Sequence, residues 1–120
     1  MLNVSFINCE SGTDLILSFA IATDDLYGVK SLILMRTPKY EKFLYPHERG
    51  VHLSYEGEAE KDEDEMLKSI HIGASKVRIE TMERTFHLNI AQVKKVQIEA
   101  MLQLLQKLNF DNSFKIIQQS

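Results

Sequence analysis

From residue 3 to about residue 90, apolar and polar side chains alternate with a period of two, the pattern of strands buried on one face. Val4 and Phe6 share one side of the first predicted strand, which ends at the turn-forming run CESGTD. In the second, Leu15, Leu17, Phe19 and Ile21 alternate with Ile16, Ser18 and Ala20, so this strand reads as central and covered in part on both faces. TDDLYG turns the chain again. VKSLILMR, residues 29–36, is a third strand that stops before Thr37-Pro38, because proline donates no ladder bond and biases its predecessor to extended geometry. Residues 37–50, TPKYEKFLYPHERG, set Tyr40, Phe43 and Leu44 at helical spacing between two prolines and predict a helical turn or packed loop. The alternation resumes at 51–56, with Val51, Leu53 and Tyr55 inward. Three more strands follow at 67–72, 76–81 and 84–90, with Ile70, Ile72, Val77, Ile79, Phe86, Leu88 and Ile90 inward. A loop at 73–76 pairs Ile72 with Val77, and the turn TMER pairs Ile79 with Phe86, a register that keeps the apolar residues on one face.

From Ala91 to about Asn109 the period becomes 3.6, predicting one long helix with Asn89 as its N-cap. Its apolar residues, Ile98, Leu102 and Leu105 among them, span about 240° of the helical circumference, with Gln97 inside the arc. An arc that wide exceeds what covering a sheet demands. The helix is therefore expected to touch the sheet and a second surface: the 40–45 segment, the C-terminal run FDNSFKII, or another copy of the chain, with Ile98, Leu102 and Leu105 as a homodimer interface. The predicted fold is a single α+β domain over residues 1–120, a mainly antiparallel sheet of about six strands with one face covered by a C-terminal helix.

Composition narrows the class. The 120 residues are 44% hydrophobic and 26% charged, as in ordinary globular proteins, and no apolar run approaches the roughly 18 residues that cross a bilayer. The first residues lack the basic and apolar regions of a secretory signal, and the single cysteine, Cys9, can form no internal disulfide and no CxxC pair. Both features point to the cytoplasm, with Cys9 read as a small hydrophobe. The net charge of −3 is local in origin, since the seven carboxylates and one lysine of residues 56–65, EGEAEKDEDE, carry −6 and leave +3 for the rest. A uniformly basic nucleic-acid binder is disfavoured, and neither a nucleic-acid nor a membrane partner is expected.

The candidate chemistry is sparse. His52, His71 and His87 fall on the outward parity of their strands and invite a zinc hypothesis, but the register sets Arg78 between His71 and His87, where a fixed cation opposes a divalent metal. A solvated or partner-facing polar row is the stronger reading, and neither metal nor cofactor is expected. The acidic run lacks the alternating donors and central glycine of an EF-hand. It reads as a mobile loop or as an electrostatic lure for a basic protein surface. None of GxSxG, a Walker loop, GxGxxG or HExxH occurs. His47, Glu48 and Arg49 could do acid–base or phosphate chemistry with a small ligand, but a polar turn entering a strand through Gly50 accounts for them, so no catalytic residue is assigned.

LILMRTPKYEKFLYPHERGVHLSYE, RTFHLNI and LNFDNSFK, about half of the chain, resemble segments of small cytoplasmic α+β immunity proteins of bacterial polymorphic-toxin systems, including contact-dependent growth inhibition. The resemblance implies a compact, non-catalytic binder that inactivates a cognate toxin, and carries over no site residue. Immunity proteins that block nucleases commonly present acidic patches to basic toxin surfaces. On that expectation Glu58, Glu60, Asp62, Glu63, Asp64 and Glu65 speed capture of the toxin, and Tyr55 or Tyr40 anchors the contact.

Overall fold

A computed structural model of the protein describes residues 1–23, 28–56 and 65–118. Its strands are β1 (Leu2–Ser11), β2 (Leu15–Ala22), β3 (Val29–Arg36), β4 (His52–Tyr55), β5 (Glu65–Ile72), β6 (Lys76–Thr81), β7 (Thr85–Asn89) and β8 (Lys115–Gln118). One α-helix, α1 (Lys95–Leu108), precedes β8, and two short 3-10 helices, Pro38–Phe43 and Pro46–Glu48, lie between β3 and β4. The α+β class and the C-terminal helix are as expected, but the sheet has eight strands of mixed direction rather than about six antiparallel ones. Its order is β4-β3-β2-β1-β7-β6-β5-β8, and β4 also pairs with β5, so seven strands close into a ring. The additional strand, β8, comes from the FDNSFKII run and lies parallel to β5, while β7 pairs in parallel with β1. Parallel neighbours need long crossovers, and β6, β7 and α1 together supply one between β5 and β8.

Alternation explains what fills the ring. Leu15, Leu17, Phe19 and Ile21 of β2, Leu32 and Leu34 of β3, and Val51 and Leu53 at β4 are all buried. The predicted inward residues of the second half, from Ile70 to Ile90, are buried as well, with Ile72 opposite Val77 and Ile79 opposite Phe86. The first strand departs from the prediction. A bulge between Val4 and Phe6 reverses its parity, so Val4 and Ile7 point inward and Phe6 stands exposed beside Ala20.

The helix begins later than the periodicity predicts. Ile90 and Val93 are buried in a turn, with the Val93 N–H donating to the Ile90 carbonyl, and Asn89 Oδ1 accepts from the N–H of Ala91 rather than capping α1. Met101, Leu104, Leu105 and Leu108 face the same core as the strands, each contributing roughly 1.5–3 kcal/mol by burial. The helix runs along β1, whose pairing with β7 covers only Leu2 and Asn3. Farther along, Gln97 Oε1 accepts from the Ile7 N–H at 2.9 Å, which accounts for a polar residue inside the apolar arc.

Candidate functional site

Arg36 completes the even-numbered inward face of β3 after Leu32 and Leu34, and it is 2% exposed. A buried guanidinium persists only with its donors paired. Glu41 receives Nε at 2.8 Å and Nη2 at 2.9 Å, and Asp111 receives Nη1 at 2.9 Å and Nη2 at 2.7 Å. Nη1 also donates to the Leu108 carbonyl at 2.8 Å and to Ser113 Oγ at 2.9 Å, and the Phe110 ring lies 4.2 Å from the guanidinium carbon. Burial alone would lower the Arg36 pKa, but the hydrogen bonds it donates to Asp111 and Glu41 more than offset this and hold the pKa above its ordinary value. Arg36 holds the Asp111 carboxyl well below the usual carboxylate range, against a smaller opposing effect of burial, with Ser113 helping. This knot ties β3 to the end of α1 and to the first 3-10 helix.

Through Glu41 the knot also sets the 37–50 segment. Glu41 Oε2 accepts the Gly50 N–H at 3.2 Å, so one buried carboxylate holds both ends of the segment. Gly50 has φ +134°, and a Cβ there would come within 2.9 Å of Met66 Cε, so glycine is required at the entry to β4. Between these anchors the aromatic rings stand out in water: Tyr40 is 51%, Phe43 75% and Tyr45 71% exposed. A groove of about 490 Å³ beside them is lined by Met35, Tyr40, Leu44, Glu48 and His52, with Arg36 and Glu41 also in its wall. His47 stacks on Tyr45, and Arg49 donates to the Leu44 carbonyl at 3.2 and 3.1 Å, so neither lines this groove. Sequence reading singled out Tyr40 but missed Phe43 and Tyr45 as surface rings. The helical spacing of Tyr40, Phe43 and Leu44 suggested packing, whereas only Glu41 of that first short helix is buried.

The residues expected to bind a partner separate into three groups. Glu58, Glu60, Asp62, Glu63 and Asp64 lie outside the described residues. Glu65 is corrected: it is buried at the start of β5, and Arg84 Nε donates to its two oxygens at 2.8 and 2.9 Å, so its charge is spent inside the fold. Tyr55 is half-buried with its ring edge-on to Phe86 at 5.9 Å, whereas Tyr40 is free to meet a partner. The helix surface proposed for self-association also changes. Leu105 is fully buried in the protein's own core, Ile98 and Leu102 are partly buried against it, and Val96 is the exposed apolar residue of α1.

On the outer face of β5, β6 and β7, His71, Arg78 and His87 stand directly opposite one another, as the register requires. Arg78 Nη2 lies 3.2 Å from both ring nitrogens of His71, and Arg78 Nε lies 3.2 Å from Glu80 Oε1. Ser69 Oγ donates to Glu80 Oε2 at 2.9 Å and, ahead of the Arg78, His71 and Lys68 charges, holds that carboxyl below its usual range, while burial opposes the shift. His52 belongs elsewhere, its Nε2 3.0 Å from the Glu48 carbonyl. Burial pushes the Cys9 thiol pKa up, as for a packed hydrophobe. Among the described residues, no three His, Cys, Asp or Glu side chains are grouped to hold a metal ion, and no helix is long and apolar enough to cross a membrane. No protein-family model matches this chain, and no curated protein or solved structure shows significant similarity to it.

Proposed function

We propose that the chain is a non-catalytic protein-binding module, a cytoplasmic immunity protein that binds and neutralises a cognate toxin domain. The observation that carries this reading is a row of exposed aromatic rings, Tyr40, Phe43 and Tyr45, on a backbone pinned at both ends by Glu41. Large rings held in water are the residues that supply most of the energy of protein interfaces, and a segment already ordered loses little entropy on binding. Tyr40 is the anchor shared with the sequence reading. The acidic residues Glu58, Glu60, Asp62, Glu63 and Asp64 add long-range attraction toward a basic toxin surface, raising the association rate more than the affinity. Neither cofactor nor nucleic acid enters this role.

The test begins with capture from source-cell lysate on the wild-type protein and on a Tyr40→Ala, Phe43→Ala, Tyr45→Ala variant. A basic protein that is toxic when expressed alone, is rendered harmless by co-expression of this chain, and is lost on the variant supports the proposal. Capture that survives removal of all three rings, or a captured protein that is not toxic, defeats it. With the partner in hand, neutralising the five acidic residues is expected to lower the association rate about tenfold or more at low salt and to flatten its salt dependence.

A further inference from the structure

We infer that the outer face of the β5–β6–β7 sheet holds a binding pocket for a tetrahedral oxyanion, inorganic phosphate or a phosphate monoester, separate from the aromatic segment. A cavity of about 150 Å³ opens there, lined by His71, Lys76, Arg78 and His87 together with the apolar Val77 and Leu88. Among the described residues, no carboxylate belongs to its wall. Lys76 and Arg78 carry fixed positive charge, the His87 imidazole offers a ring N–H, and His71 packs against Arg78 Nη2 at 3.2 Å and steadies the guanidinium.

The register makes the convergence a property of the fold. His71 is opposite Arg78, and Arg78 is opposite His87, so the three side chains rise as neighbours from adjacent strands. Lys76 enters from the start of β6, where the Gly73 N–H is tied to the Lys76 carbonyl at 2.8 Å and fixes the hairpin. Directly opposed residues sit about 4.5–5.5 Å apart at their Cβ atoms, close enough for neighbouring side chains to share one small ligand. Glu80 lies outside the cavity wall, held by Ser69 at 2.9 Å, with Oε1 3.2 Å from Arg78 Nε and 3.7 Å from His71 Nε2. That contact is misaligned: Arg78 Nε is buried and has no hydrogen-bond partner among the described residues, although Glu80 is 3.2 Å away. Nε is turned to Glu80, Nη2 meets the His71 ring, and Nη1 has no hydrogen-bond partner among the described residues, so the guanidinium retains donor capacity at the cavity wall.

Ligand class follows from shape and charge. Four donor-bearing side chains grouped on one sheet face around a small cavity suit a compact oxyanion with several acceptor oxygens, such as phosphate. A cavity of 150 Å³ admits one such group with a few waters, and four basic side chains do not make the extended track that a nucleic-acid backbone needs. A divalent metal is opposed by Arg78 and Lys76.

The experiment is an NMR titration of the full chain, following its four histidine rings. Inorganic phosphate and methyl phosphate are added at fixed pH and at ionic strength held constant with sodium chloride. Saturable shifts at His71 and His87, absent at His47 and His52, are expected. The dissociation constant should rise about tenfold in Arg78→Gln, the effect of losing one charge-assisted hydrogen bond, and by several-fold in Lys76→Gln and His87→Gln. The last two replace exposed residues and keep the test open if Arg78→Gln fails to fold. Saturation by both probes identifies a monoester site, and saturation by inorganic phosphate alone identifies a site enclosing the free ion; either supports the pocket. Linear shifts, equal shifts at all four histidines, or unchanged affinity in both Lys76→Gln and His87→Gln would overturn it.

Discussion

Arg36 concentrates more polar contacts than any other residue described above, joining Glu41, Asp111, Ser113 and the Leu108 carbonyl. Removing one partner from a buried ion pair costs more than the pair itself contributes, because a desolvated charge is left behind. Glu41→Ala is therefore expected to destabilise the protein by about 3 kcal/mol, at the lower end of the usual range because Asp111 remains, and chemical denaturation would measure it. It should also release the 37–50 segment, since the Gly50 N–H loses its acceptor. Asp111 supplies a pH signature. Its folded pKa is depressed, so below the unfolded value of about 3.9 the unfolded chain binds the proton more readily. Its stabilising contribution is complete above that value and is lost as pH falls toward the folded pKa. A series of urea midpoints taken at falling pH should drop less steeply in Asp111→Asn than in the wild type.

At the scale of elements, α1 shows how much of a wide apolar arc one protein can absorb by itself. Met101, Leu104, Leu105 and Leu108 go to the core, and Ile98 and Leu102 pack at its margin. Leu105→Ala should thus cost about 2–5 kcal/mol by opening a cavity, whereas Val96→Ala should stay within about 0.5 kcal/mol. Thermal melts of the two variants would check this directly. Equal effects would mean that Val96 is covered in solution, returning the helix to consideration as an interface between copies. The segment between β3 and β4 behaves in the opposite way: only Glu41 of its first short helix is buried, and its aromatic rings remain outside.

For the whole molecule, closure depends on two short seams. β1 meets β7 through two residue pairs and β4 meets β5 through two, whereas β2 and β3 are paired along their whole length. Amides of Asn3, Asn89 and Leu53 are expected to exchange with solvent faster than those of Leu17 and Leu32, because short ladders open without unfolding the rest. Hydrogen exchange followed residue by residue would measure the difference, and uniform protection would show that the ring opens only globally.

Much of this architecture was legible along the chain. Period-two alternation placed the interior of β2 to β7, and the two hairpin turns set the register that aligns His71, Arg78 and His87. Local steric and solvation preferences suffice for such features, since a strand with one apolar face has one workable orientation. Arg36 was legible in principle too, as a charge in phase with Leu32 and Leu34, but a period does not say which partners will neutralise it. Those partners lie five residues away and more than seventy residues away, and only the folded chain brings Glu41 and Asp111 together. The β1 bulge, the parallel additions of β7 and β8, the ring closure, and the burial of Glu65 beside Arg84 were likewise decided in three dimensions. The sequence by itself determined which faces turn away from water. Tertiary structure alone decided which edges meet and which charges are consumed, because those outcomes depend on pairings between residues distant along the chain.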